Sequence, residues 1–147
     1  MANQEHLEIL MGGVAAWNEW RIKNRGITPS LSEADLSRKD LMGADFNGAN
    51  LRKANLRKAN LREADLTYAS ISEADLRMAN LSRANLAGAS FRSADLTKGD
   101  LTKADASYAD FSNTSMCGAD LRKAYFTSAI LILANLSGAK LDNSSLI

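Results

Sequence analysis

The chain has 147 residues, enough for one domain, and with 46% apolar but only 6% aromatic residues any core it builds is aliphatic. Lys and Arg number 18 against 17 Asp and Glu, so the net charge of +1 excludes both the basic excess of a typical nucleic-acid binder and the acidity of a polyanion mimic. The single cysteine, Cys117, excludes an internal disulfide, and no apolar run approaches the length that spans a membrane.

The opening MANQEHLEIL lacks the basic start and long apolar stretch of a secretory signal, so a soluble cytoplasmic protein is expected. Residues 1–26 predict an N-terminal capping α-helix. Leu7, Leu10, Val14 and Trp17 recur at helical spacing, and Ile9, Ala16 and Trp20 widen the stripe. Asn3 suits the N-cap and Gly26 the C-terminal stop, after which Thr28-Pro29 leads onward. Such a helix either covers an open end of the downstream domain or presents Trp17 and Trp20 to a partner.

From Leu31 to Leu146 every fifth residue except Ala106 is large and apolar: of 24 positions, 17 are Leu and 4 are Phe, and the frame never slips. Two residues before each centre, 19 of 23 positions are Ala; one residue before, 20 of 23 are Asp, Asn or Ser. A period of five suits no ordinary element. In a helix it turns the chain by about 500°, so the leucines spread around the axis. In a strand an odd spacing puts successive leucines on opposite faces. One geometry keeps them all inside: each pentapeptide forms one side of a square tube and the chain turns a corner between units. Four units close a coil of 20 residues, and coils stack by strand-like hydrogen bonds. The 24 centres then make six coils, a rod roughly 25–30 Å long. The Ala points inward where coils approach closely, and Asp, Asn and Ser support the corners by bonding side chain to backbone. The other two positions face water and are expected to vary freely.

The units Ala54-Asn55-Leu56-Arg57-Lys58 and Ala64-Asp65-Leu66-Thr67-Tyr68 show the consensus A-(D/N)-L-x-x, which resembles the pentapeptide-repeat family over residues 31–147. The resemblance implies an all-β solenoid, a right-handed quadrilateral β-helix. It also implies a bacterial, often cyanobacterial, source and usually no known enzymatic activity.

Residues 20 apart share a column. Leu41, Leu61, Leu81, Leu101, Leu121 and Leu141 form an unbroken core ladder. Phe91 and Phe111 fall on neighbouring coils and can stack. Ala106 leaves a gap that the Phe126 ring is expected to fill in part. Gly99, Thr114 and Ser144 replace the inward Ala with other small residues, but Lys39 does not. Its side chain is expected to snorkel out of the end of the tube and to distort Ser37–Asp40. At the other end the expectation is an uncapped coil. There Ile130, Ile132, Leu133, Leu146 and Ile147 form either an isolated apolar spot or a C-terminal interface that admits a homodimer.

Chemistry-bearing residues are sparse. His6 and Cys117 stand alone and far apart in sequence, so no catalytic, cofactor or metal site is assembled. The run from Arg52-Lys53 to Arg62 is a belt around the tube, since each pair faces a different side. The true basic columns are Arg57/Arg77 and Arg83/Lys103/Lys123, the latter with Glu63 beneath. The sequence therefore reads as a non-catalytic structural or protein-interaction module, with Arg83, Lys103 and Lys123 as the candidate partner face. Another protein is the expected partner; neither nucleic acid nor membrane is. The alternative is a DNA mimic that modulates a type II topoisomerase, as the resemblance implies for quinolone-resistance members of the family. Those members are longer and strongly acidic.

Overall fold

The computed structural model of the protein describes residues 1–146. From Ser30 onward the residue before each centre pairs in parallel with the residue 20 positions later, from Ser30 with Asn50 to Tyr125 with Ser145. Four pentapeptides therefore make one coil, as the spacing predicts.

One pentapeptide accounts for the whole design. The Leu51 and Lys53 amides donate to Ser70 and Ser72 of the next coil, at 2.7 and 3.0 Å. The Asn55 amide donates back to Ala34 of the preceding coil at 2.9 Å, and the Ala54 amide closes a turn onto Leu51 at 3.0 Å. The remaining amide, Arg52, donates to Asn50 Oδ1 at 3.1 Å. All five N–H groups are satisfied without a long strand, which is why a chain of corners can stand as a solenoid. The side-chain bond is general: each of the 16 Asp and Asn residues before a centre accepts from the amide two positions on.

The outward pair is not free to vary, contrary to the sequence expectation. Its second member lies in the left-handed region in all 23 turns, 18 of them non-glycine with φ near +60° and five of them glycine. This is the type II turn, whose third residue needs a positive φ. No Val, Ile, Thr or Pro occupies that position, whereas Thr67, Thr97, Thr102, Thr127 and Ile132 all stand one place earlier. A left-handed residue with a Cβ costs about 1–2 kcal/mol, part of which glycine gives back in unfolded-chain entropy. Lys58→Gly is therefore expected to stabilise the protein by about 0.5–1 kcal/mol and Lys58→Val to destabilise it by more, read from urea midpoints at constant slope.

The centres from Leu31 to Phe126 and the inward alanines between them form one buried cluster. Phe91 and Phe111 stack with centroids 4.8 Å apart and planes 7° from parallel. Phe126 meets Phe111 at 5.5 Å, tilted by 58°, and Ala106 is fully buried. Thr114, at an inward position, gives its hydroxyl to Phe91 O at 2.7 Å, so its polar atom is not left unpaired.

The single helix expected over residues 1–26 is instead two, α1 at Gln4–Met11 and α2 at Val14–Lys23. Gly12-Gly13 separates them, with Gly13 at φ +109°, a value a residue with a Cβ rarely adopts. Asn3 caps α1 as expected, accepting from the His6 amide at 3.1 Å, but α2 ends at Lys23 with Asn24 as its cap, ahead of Gly26. Trp17 and Leu10 are buried, while Leu7 and Val14 are half-buried. Trp17 lies against Phe46 of the first coil, with centroids 5.7 Å apart.

The helices also satisfy backbone groups that the first coil would otherwise leave open. His6 Nδ1 accepts from the Ser30 amide at 3.0 Å, and Ser30 O accepts from the Asn3 amide at 2.8 Å. Asn18 Oδ1 accepts from the Asp45 amide, and Trp17 Nε1 donates to Asp45 O at 2.7 Å. Asn18 Nδ2 and Arg21 Nη2 reach Gly43 O and Asn47 O. These side chains stand where a preceding coil would place its peptide groups. They serve the Ser30 and Asp45 sides. Lys39, on a side they do not reach, is exposed as expected, yet the backbone around it stays regular. Arg38 keeps φ +59° and Lys39 O accepts from Asn60 N at 2.9 Å, so the expected distortion is absent.

The last described coil is different. Its centres Leu131, Leu136 and Leu141 are half-buried and Leu146 is exposed, although their counterparts in the first coil are buried. The Leu131, Leu133, Leu136, Gly138, Leu141 and Asn143 amides have no acceptor among the described residues.

Candidate interaction faces

Each side of the solenoid presents one column of outward pairs, and the cations on these columns differ in the partners within their reach. Where the turn residue is an aspartate, an arginine in the first place folds back onto it. Arg77 thus grips Asp75 and Arg122 grips Asp120, through Nε at 2.8 Å in both cases. A residue in the second place takes the left-handed conformation, and from there Lys53 still reaches Glu73 of the next coil at 3.5 Å. Arg83, Lys103 and Lys123 all hold that place, on three successive coils of the Leu41 side, and none joins an ion pair among the described residues. Thr102, Lys103, Arg122 and Lys123 line a shallow depression there. Glu63, one coil below Arg83, is engaged by Arg62 at 3.2 Å and so does not neutralise the column.

The guanidinium of Arg77, donating to Asp75, holds that carboxyl below the ordinary aspartate range; the Arg77 amide adds to this and desolvation opposes it. Arg122 does the same to Asp120. A carboxyl with a depressed folded pKa contributes stability that is complete above its unfolded pKa and is lost as pH falls through the folded value. The solenoid is therefore expected to melt progressively lower as pH drops through and below the aspartate range. Asp75→Asn keeps the Oδ1 acceptor of the turn but removes the titration, so thermal melting against pH should be flatter for this variant than for wild type.

The apolar residues expected at the C-terminal interface fall on or next to the last described coil. Ile130, Ile132, Leu133 and Leu146 are exposed beside the half-buried leucines of the last described coil. Ile147 lies outside the described residues. Cys117 is half-buried and unpaired, and His6 is occupied in the cap. Among the described residues no group of three or more His, Cys, Asp or Glu could hold a metal ion, and no helix is long and apolar enough to cross a membrane.

Three side chains that the sequence pattern does not single out, His6, Asn18 and Arg21, bind the helices to the first coil. Their partners are backbone atoms, which no side-chain pattern marks.

A solenoid of 20-residue coils with Asp and Asn at its corners defines a repeat-protein class, and comparison with known proteins gives the family. A family model described as pentapeptide repeats matches eight copies, over residues 30–62, 44–83, 69–105, 84–122 and 109–146. The chain belongs to the pentapeptide-repeat family. It is similar to the crystal structure of the pentapeptide repeat protein Rfr23 from the cyanobacterium Cyanothece 51142, at 23% identity and TM-score 0.64, covering 87% of this chain and 96% of that one. It is also similar to HetL, involved in heterocyst differentiation regulation in the cyanobacterium Nostoc sp. strain PCC 7120. That match has 30% identity and TM-score 0.40, covering 80% of each chain. QnrB1, a plasmid-mediated fluoroquinolone resistance protein, matches at 18% identity and TM-score 0.43, covering 82% of this chain and 84% of that one. No curated protein sequence matches the chain.

Proposed function

We propose that the protein is a non-catalytic, cytoplasmic interaction module, a right-handed rod of six coils whose flat sides are read by another protein. The observation that carries this reading is the column of Arg83, Lys103 and Lys123, three cations outside any ion pair among the described residues, on successive coils. Set at about the 4.8 Å coil spacing along one side, they make a strip of like charge that attracts an acidic partner. The helices α1 and α2 serve as a cap, since their side chains take up backbone groups of the first coil. The exposed Ile132 and Leu133 offer a second copy a place to dock beside the last described coil.

The test is affinity capture with wild type and with Arg83→Glu/Lys103→Glu/Lys123→Glu, using Lys58→Glu/Lys98→Glu on another side as the control. The proposal holds if one protein is recovered by wild type and the control and lost with the triple variant. It fails if no recovered protein depends on that column. Salt-sensitive retention on a polyanion column would redirect the reading to nucleic acid. Inhibition in a gyrase supercoiling assay would redirect it to topoisomerase modulation, which the net charge of +1 disfavours. For the second copy, light scattering should show a dimer that Leu133→Lys converts to monomer.

A further inference from the structure

The Phe46 side of the solenoid is unlike the other three. It carries all three tyrosines of the chain, Tyr68, Tyr108 and Tyr125, exposed to 74%, 69% and 56%. Its outward pairs, from Asn47-Gly48 to Thr127-Ser128, include no Lys, Arg, Asp or Glu, whereas each other side carries several charges. Tyr68 and Tyr108 occupy the same column two coils apart, a step of roughly 10 Å.

Gly88 lies between them and shapes the surface. A Cβ on Gly88 would stand 2.6 Å from Tyr68 Cε1 and 2.7 Å from Cδ1, so the Tyr68 ring rests on the bare turn of the next coil. One part of the ring thus covers the bare turn while the rest of it stays open to a ligand.

Size and charge narrow the occupant. A side made of five residues is at most about 17 Å wide. Over five coils of about 4.8 Å it covers on the order of 400 Å², half the ~800 Å² per partner of a stable protein interface. The face suits a narrow ligand lying along the axis. Arg21 of α2 and Arg25 just after it lie beside Asn47 and Asp65 at the first-coil end of this side, but beyond them its outward pairs hold no cation and Asp105 stands at a turn position, so the stretch around Tyr68 and Tyr108 disfavours acidic ligands. The Oδ1 atoms of these aspartates close their turns, which leaves Oδ2 to accept hydroxyl groups. A pyranose ring has an apolar C–H face that packs on the electron-rich face of an aromatic ring. The disaccharide repeat of an extended β-1,4-linked hexose chain is close to the two-coil step. We propose that this face binds a neutral, unbranched β-1,4-linked glycan along the solenoid axis, with alternate sugar rings on Tyr68 and Tyr108.

The test is calorimetric titration with cellohexaose, alongside maltohexaose, which has the same sugar but an α-linked, curving chain. Cellohexaose should bind and maltohexaose should not. Tyr68→Ala and Tyr108→Ala should each weaken binding about three- to tenfold, the worth of one aromatic contact. Tyr68→Phe should bind as wild type, because the ring and not the hydroxyl stacks. Ala87→Arg, which leaves both rings in place but lays a long charged chain across the face, should weaken binding roughly tenfold or more and covers the case of an alanine variant that does not fold. The proposal is overturned if cellohexaose gives no heat at millimolar concentration, if the two sugars bind equally, or if the folded alanine variants keep the wild-type Kd.

Discussion

Phe111→Ala is expected to destabilise the protein by about 3–5 kcal/mol, a large part of the roughly 5–15 kcal/mol that holds a domain of this size together. The ring is fully buried, stacks on Phe91 and meets Phe126 at a tilt, so its loss removes two aromatic contacts and opens a cavity between coils. The backbone cannot collapse into that cavity, because the coil spacing is set by hydrogen bonds on all four sides. Phe111→Leu, which keeps most of the volume, should cost about 1–1.5 kcal/mol. Leu141→Ala, at a half-buried centre of the last described coil, should cost about 1 kcal/mol or less. Urea unfolding of the three variants measures the series; equal losses at Phe111 and Leu141 would contradict the burial gradient along the axis.

Trp17→Ala is expected to cost about 3–5 kcal/mol, and its effect should concentrate at one end. The side chain is completely buried between α2 and the first coil, and its Nε1 donates to Asp45 O. Removing it leaves that carbonyl unpaired and uncovers Phe46. Trp17→Phe should recover most of the packing and forfeit only the hydrogen bond, worth about 1 kcal/mol. Because a solenoid is stabilised by neighbour contacts alone, hydrogen exchange should quicken at Leu31 and Phe46 before it changes at Leu101. Uniform loss of protection along the chain would mean that the helices support the whole rod instead of its first coil.

The repeat was legible because Leu holds 17 of 24 centres at one unbroken spacing, and the burial of Leu56, Leu61 and Leu66 follows from that frame alone. The break between α1 and α2 was also written in the chain, as Gly12-Gly13. The apolar spacing of Leu10, Val14 and Trp17 runs through it unbroken and hides it, since both helices turn the same stripe toward the coil. The left-handed turn position could have been inferred from a negative pattern, the confinement of Thr and Ile to the first outward place. The cap bonds were out of reach. His6, Asn18 and Arg21 find backbone atoms 24 to 27 residues away, where only the folded path brings them close. The basic column was visible in the numbering. That its members escape pairing while Arg77 and Arg122 do not depends on which carboxylates the folded turns bring within reach, which spacing does not carry.

The five-residue corner unit has an evolutionary corollary. Removing one pentapeptide from the middle would leave every interior contact type intact, yet everything beyond it would rotate by a quarter turn about the axis. Tyr108 would then no longer share a side with Tyr68, and the column of Arg83, Lys103 and Lys123 would be cut and redistributed. Removing 20 residues would shorten the rod and keep its sides aligned. Surface patterns in such a chain can thus be shuffled by small deletions that leave the interior unaware, so the core constrains what partners can be lost or gained far less than the count of units between them.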